Sequence, residues 1–98
     1  MIIVTGSLIA RADAFDELLK LSQEHVLRSR AEPGCISHGV GRDTENPLRL
    51  VFFEEWTDRA ALATHFAVAD SRAFVKAVAG LVTHPPAINI YDATPIRL

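Results

Sequence analysis

Cysteine is nearly missing from this chain: Cys35 is the only one in 98 residues. A lone thiol closes no internal disulfide, which fits a reducing compartment, and a cytoplasmic location is expected. Charge of one sign is missing too. Ten basic residues against 12 acidic ones leave a formal charge of −2, with a pI near 6.0. No basic stripe is available for phosphates, so a nucleic-acid partner is not expected. No apolar run approaches the ~20 residues that span a bilayer, so no membrane partner is expected. The apolar start lacks a basic segment and a small-residue cleavage site, which argues against a signal peptide. Nucleotide motifs are absent as well: Gly39-x-Gly41 has no third glycine and no helix after it, and there is no P-loop. Repeats and low-complexity tracts are absent.

What is present is apolar: 49% of the residues. That suffices for one core, and a single domain over 1–98 is expected. A core this small gains from association with a partner chain.

The periodicity changes along the chain. In MIIVTGSLIA, residues 1–10, both alternating faces are apolar or small, which predicts a strand in the interior of a sheet. In the following 20 residues Phe15, Leu18, Leu19, Ser22 and Val26 recur at helical spacing. Asp13 is the expected N-cap, and Pro33-Gly34 ends the helix. CISHGVGR, 35–42, predicts a second strand, with its glycines marking a bulge or close packing. Residues 42–47 are turn-rich, and LRLVFFEEW, 48–56, is the strongest strand. Leu50, Phe52, Glu54 and Trp56 share one of its faces; Val51, Phe53 and Glu55 share the other. The short connection predicts an antiparallel hairpin. Thr57 is the expected cap of a next helix, and Asp70 of another running to about residue 82. HPP, 84–86, breaks the pattern, and AINIYDA, 87–93, predicts a last strand.

The order β-α-β-β-α-β is the ferredoxin-like arrangement, an α+β fold with a four-stranded antiparallel sheet and helices on one face. Helices cover only one side, yet two strands are apolar on both. The uncovered side predicts a homodimer packed through the sheet face.

Three short motifs carry a resemblance: EPGC at 32–35, Glu54-x-Trp56-x-Asp58, and Leu62-x-x-His65. In this order and spacing the chain resembles the antibiotic biosynthesis monooxygenase (ABM) family along nearly its whole length. The resemblance implies a dimeric α/β barrel of ferredoxin-like subunits. It also implies an oxygenase that uses O2 on a quinol or an aromatic, polyketide-like small molecule, with no metal or flavin cofactor. The family extends to haem-degrading enzymes and a signalling-molecule isomerase. Departures exist. Many members carry a second histidine before an aromatic where this chain has Asp70-Ser71, and a tyrosine where it has His38. The haem-degrading branch carries an asparagine, a tryptophan and a histidine where this chain has Thr5, His65 and Val75, which argues against haem chemistry.

Cofactor-free oxygenation requires a substrate that becomes an easily oxidised anion, because triplet dioxygen does not react directly with a singlet molecule. The protein must take a proton, hold the anion and keep water out. Histidine suits the first task, with a reference pKa of ~6.5. His65 is the candidate base, with His38 as second base or orienter. Phe52, Trp56 and Phe66 are candidate pocket walls, and Thr5, Asn89 or Tyr91 a candidate hydrogen bond to substrate. Each has a plain structural reading beside it. Trp56 also suits a core, His65 an internal hydrogen bond, and His38 an interface. Glu54 suits a structural role, and if buried it would pair with an arginine or a backbone donor. The histidines show no His-x-x-x-His spacing, and with one cysteine no metal site is expected. Two other readings stay open: a non-oxidative isomerase on the same scaffold, and a small-molecule binding module without turnover.

Overall fold

The computed structural model describes all of Met1–Leu98. Its elements are β1 (Ile2–Ile9), α1 (Phe15–Ser29), β2 (Cys35–Arg42), β3 (Arg49–Trp56), α2 (Arg59–Ala67), α3 (Ala69–Ala79) and β4 (Ala87–Asp92). The four strands form one antiparallel sheet in the order β2-β3-β1-β4. This is the ferredoxin-like topology. The strand that is apolar on both faces, β1, lies inside the sheet between β3 and β4, as its pattern predicts.

Register assigns the faces. Ile2, Val4, Gly6 and Leu8 stand opposite Trp56, Glu54, Phe52 and Leu50. These residues point toward the helices, and all but Gly6 are buried. The apolar stripe of α1 closes on them: Phe15, Leu18, Ser22 and Val26 are buried as their spacing predicts, and Leu19 packs at the margin. Leu18 and Leu50 are completely buried, each worth roughly 1.5–3 kcal/mol. A smaller apolar group, Ile2, Val4, Trp56 and Leu62, fills the other end. The opposite side of the sheet carries Ile3, Thr5 and Ser7 beside Glu55, Phe53 and Val51, and no helix covers it; Phe53 is 47% exposed. No helix is long and apolar enough to cross a membrane.

Four local expectations are corrected. Asp13 does not cap α1; its carboxylate accepts from Arg11 Nε at 3.1 Å, and Ala14 occupies the cap position. Thr57 stands one residue too early to cap α2. Asp58 does so in extended conformation, its carboxylate accepting from Ala61 N at 2.8 Å. Asp70 lies inside the first turn of α3, where it faces Arg28 of α1 at 3.6 Å. The bulge in β2 falls between Cys35 and Ser37, not at the glycines. Gly34 has a φ of +83° and backs onto Ala61, so a Cβ there would meet the Ala61 Cβ at 2.5 Å. It therefore both turns the chain and lets α2 approach β2.

Candidate functional site

Three histidines that are far apart in sequence meet under the helices. His25 arrives from the buried stripe of α1, His38 from the helix-facing side of β2, and His65 from α2; all three are buried. Their rings stand 5.2–5.6 Å apart between centroids. Each placement has a local cause. His25 continues the stripe of Leu18 and Ser22, and its ring stacks on Phe74 of α3 at 4.2 Å. His38 pairs in register with Glu54, while Arg30 Nε donates to the His38 carbonyl at 2.9 Å and pins β2 to the end of α1. His65 follows Leu62 at helical spacing and lies over Trp56, with centroids 4.6 Å apart.

Two carboxylates serve this cluster. His65 Nδ1 meets Glu32 Oε1 at 2.5 Å, and its Nε2 lies 3.9 Å from Glu54 Oε1. Trp56 Nε1 donates to the same Glu54 oxygen at 2.9 Å. His38 Nε2 is 3.2 Å from that oxygen, close enough to interact but not aligned as a hydrogen bond. Burial pushes the Glu54 pKa upward, but the neighbouring His38 ring, then the Trp56 hydrogen bond and His65, outweigh it. The net result is a carboxyl below its ordinary range, held as the anion. The donor that buried Glu54 needs is the Trp56 indole, not the arginine or backbone group expected.

Beside the cluster lies a cavity of ≈ 510 Å³ between sheet and helices. Val4, Gly6 and Leu8 of β1 and Phe52 and Glu54 of β3 form its floor. His25 of α1, His65 and Phe66 of α2, and Ser71, Phe74 and Val78 of α3 form its roof, with Ile88 of β4 at the side. At Gly6 a Cβ would sit 3.2 Å from the Ala87 carbonyl oxygen, so the absent side chain deepens the floor. Most of the lining is apolar, and the polar atoms are few and convergent, which suits a flat organic ligand. The Nε2 atoms of His25 and His65 have no hydrogen-bond partner. They are also not among the sealed orphan atoms, which are Ser22 Oγ, Ser71 Oγ and both His38 nitrogens. Both Nε2 atoms therefore open on the cavity.

Of the candidate site residues, His65, Phe52 and Phe66 line this cavity. His38 joins the cluster but stands behind Glu54, outside the lining. Trp56 is fully buried and acts from below, through Glu54 and the His65 ring. Thr5, Asn89 and Tyr91 are not brought to the cluster. Thr5 pairs with Asn89 and Ile3 with Tyr91 on the uncovered side, because strand residues alternate and these have the wrong parity. His25, Glu32 and Glu54 also belong to this cluster, which the sequence pattern alone does not bring together. His25 was detectable, seven residues after Leu18 on the same helical face. Glu54 follows from its parity with Phe52. Glu32 precedes Pro33 in a turn, and no periodicity flags it.

The histidines are not scattered, as their spacing suggested: His25, His38 and His65 offer nitrogens within 4.8 Å of one another, a possible donor set for a metal ion. The donor chemistry fits poorly at one corner, because the Arg28 guanidinium sits on His25 Nδ1 at 2.9 Å. Burial first, and then Glu32 and Glu54, push the Cys35 thiol above its ordinary range, so Cys35 is not an activated nucleophile.

A model of the family described as antibiotic biosynthesis monooxygenase matches residues 1–77. An uncharacterized protein of Synechocystis is 38% identical over 90 residues, covering 92% of this chain; the chain spans 61% of that relative's length. A crystal structure described as an antibiotic biosynthesis monooxygenase shares 32% identity and a TM-score of 0.89, covering 97% of this chain and 100% of its own. A Mycobacterium tuberculosis protein of solved structure shares 26% identity and a TM-score of 0.91, covering 97% of this chain and 96% of its own.

Proposed function

We propose a function from one premise: the chain belongs to the antibiotic biosynthesis monooxygenase family. The reading is a monooxygenase that works without metal or flavin and oxidises a quinol or an aromatic, polyketide-like small molecule with O2. The observation that carries it is the His65–Glu32 pair, 2.5 Å apart, at the wall of an apolar chamber of ≈ 510 Å³.

The chemistry follows from that pair. Glu32 accepts a hydrogen bond from His65 Nδ1–H, which leaves the Nε2 lone pair directed at the chamber. A phenolic or enolic hydroxyl bound there gives its proton to Nε2. The imidazolium so formed lies between Glu32 and Glu54, whose charges stabilise it. The substrate anion passes one electron to O2, and the radical pair joins as a peroxide at the ring CH carbon that shares the anion's charge. His65 returns the proton, and loss of water leaves one oxygen atom as a carbonyl. Phe52, Phe66 and Phe74 give the flat ring its walls and exclude water. Within this scheme His38 is an orienter, acting on Glu54 and not on substrate.

A second copy of the chain completes the assembly in this reading. Phe53 and Tyr91 are about half exposed, and Gly39 and Gly41 on the uncovered side have no atom within 4 Å of where a Cβ would be. That flat apolar surface suits a sheet-to-sheet homodimer, the arrangement in which the family's two barrels form.

The test is oxygen uptake with a panel of hydroquinones and anthrone-like phenols, comparing the native protein with His65→Ala. Uptake by the native protein should fall ~10²–10⁴-fold in the variant. Absent uptake, or uptake indifferent to the substitution, rejects the reading. Proton exchange into an activated ketone without uptake would point instead to an isomerase, and ligand binding without any conversion to a binding module.

A further inference from the structure

His25 opens on the cavity, and the scheme above gives it no task. Its neighbours fix where its hydrogen lies. Arg28, one turn along α1, stands 2.9 Å from His25 Nδ1, and Asp70 of α3 stands 3.6 Å from Arg28 on the outer side. A guanidinium only donates, so Nδ1 must be the acceptor and carry no proton. A neutral ring then holds its single hydrogen on Nε2. The ring stays neutral because burial, reinforced by His38, His65 and Arg28 and opposed only by Glu54, lowers its pKa to about 3. The Phe74 ring, stacked within 7° of parallel, sets the plane in which that hydrogen points.

We propose that His25 Nε2–H is a fixed donor to the substrate oxygen that His65 deprotonates, so that the two imidazoles clamp a single aromatic or enolic hydroxyl and hold it as its anion. The separation suits one shared atom. One nitrogen of each ring lies within 4.8 Å of one on the other, and two bonds of about 2.8 Å meeting at a hydroxyl oxygen span about that distance. The O–H bond breaks, its electron pair stays on oxygen, the proton goes to His65 Nε2, and His25 N–H accompanies the new charge. His25 cannot compete for the proton, because its inward nitrogen already carries one. The recognised class is therefore a free phenol or enol; its methyl ether has no proton to give. The inference rests on the proposed role of His65 as base, and it needs no oxidation step to be tested.

The probe is 4-nitrophenol, whose anion is yellow and which is too electron-poor to react with O2. Bound to the native protein it should ionise about tenfold more readily than in solution, one pKa unit in apparent value. His25→Phe, which keeps a ring against Phe74, should lose that gain. Arg28→Met, at a partly exposed position, should lose part of it by releasing the ring tautomer. Nitrogen NMR of the native protein should show His25 protonated at Nε2, a readout that needs no variant. Failure of nitrophenol to bind, equal ionisation in native protein and His25→Phe, or an Nδ1-protonated His25 would each overturn the inference. Oxygen uptake that depends on His65 alongside any of those results would leave the oxygenase standing without the clamp. A stabilised nitrophenolate with no oxygen uptake on any phenol would leave the clamp standing without the oxygenase.

Discussion

Replacing His25 by phenylalanine should flatten the response of the fold to mild acid. The folded protein holds His25 with a pKa lowered from 6.5 to about 3, chiefly by burial. The unfolded chain exposes the same ring at its ordinary value and so binds a proton first. Stability from His25 is therefore complete above the unfolded value, declines as pH falls below it, and stops declining beneath the folded one. Between pH 6 and 5 the unfolded chain carries nearly one extra proton at this residue, a slope of about 1.2 kcal/mol per pH unit. From pH 7.5 to 5 the loss amounts to about 2 kcal/mol, a large part of what a domain of this size has. Glu54 has the same sign but acts in a lower window. Its pKa is held below the ordinary carboxylate range, so its contribution is complete above that range and is lost only as pH falls beneath it. Urea unfolding at a series of pH values measures the slope, with the single buried Trp56 as fluorescent reporter and protein concentration fixed. His38 and His65 are common to both proteins, so the difference between the curves isolates His25. Parallel curves for native protein and variant between pH 7.5 and 5 would refute the reasoning, whatever their vertical offset.

Other substitutions probe the remaining supports. Trp56→Phe removes the N–H that reaches Glu54 at 2.9 Å, and the loss of a buried bond to a charged group should cost about 1.5–3 kcal/mol in denaturant unfolding. Glu32→Gln keeps the shape beside His65 but not the charge; oxygen uptake should drop roughly tenfold or more while the circular dichroism spectrum stays native, and unchanged uptake would dismiss Glu32 as a partner of the base. Gly34→Ala drives a methyl against Ala61 in a left-handed turn and should destabilise the fold by more than about 1 kcal/mol, seen as a lower melting temperature. Phe53→Asp puts a charge on the uncovered side of the sheet; sedimentation should then report single chains where the native protein sediments as pairs, and a native protein that already runs as single chains would dismiss the homodimer.

The fold was largely legible because its signals are periodic. A two-residue repeat in 48–56 and a helical repeat in 15–26 need no knowledge of the rest of the chain, and the structure follows both. Caps were harder: Thr57 and Asp58 are both good capping residues, and only the backbone angles select the second. The site was legible one residue at a time but not as an assembly. Alternation puts Thr5 on one side of β1 and Gly6 on the other, yet nothing local says which side the helices cover, and so the sequence does not separate Thr5, Asn89 and Tyr91 from the cavity-facing residues. His25 and His65 are 40 positions apart, joined only because α1 and α2 both pack against α3. The partnership of Glu32 with His65 depends on where a turn ends, and sequence spacing carries no trace of it.

The missing side chain at Gly6 has a consequence for selectivity. With only hydrogen on that α-carbon, a guest molecule can rest directly against the peptide plane of an interior strand. One methyl added there would crowd the carbonyl of Ala87 and raise the base of the chamber under any ring stacked above it. Broad, fused guests would then lose their seat before slim single-ring ones, and the tolerated thickness of a guest is governed at a residue that contributes no chemistry of its own.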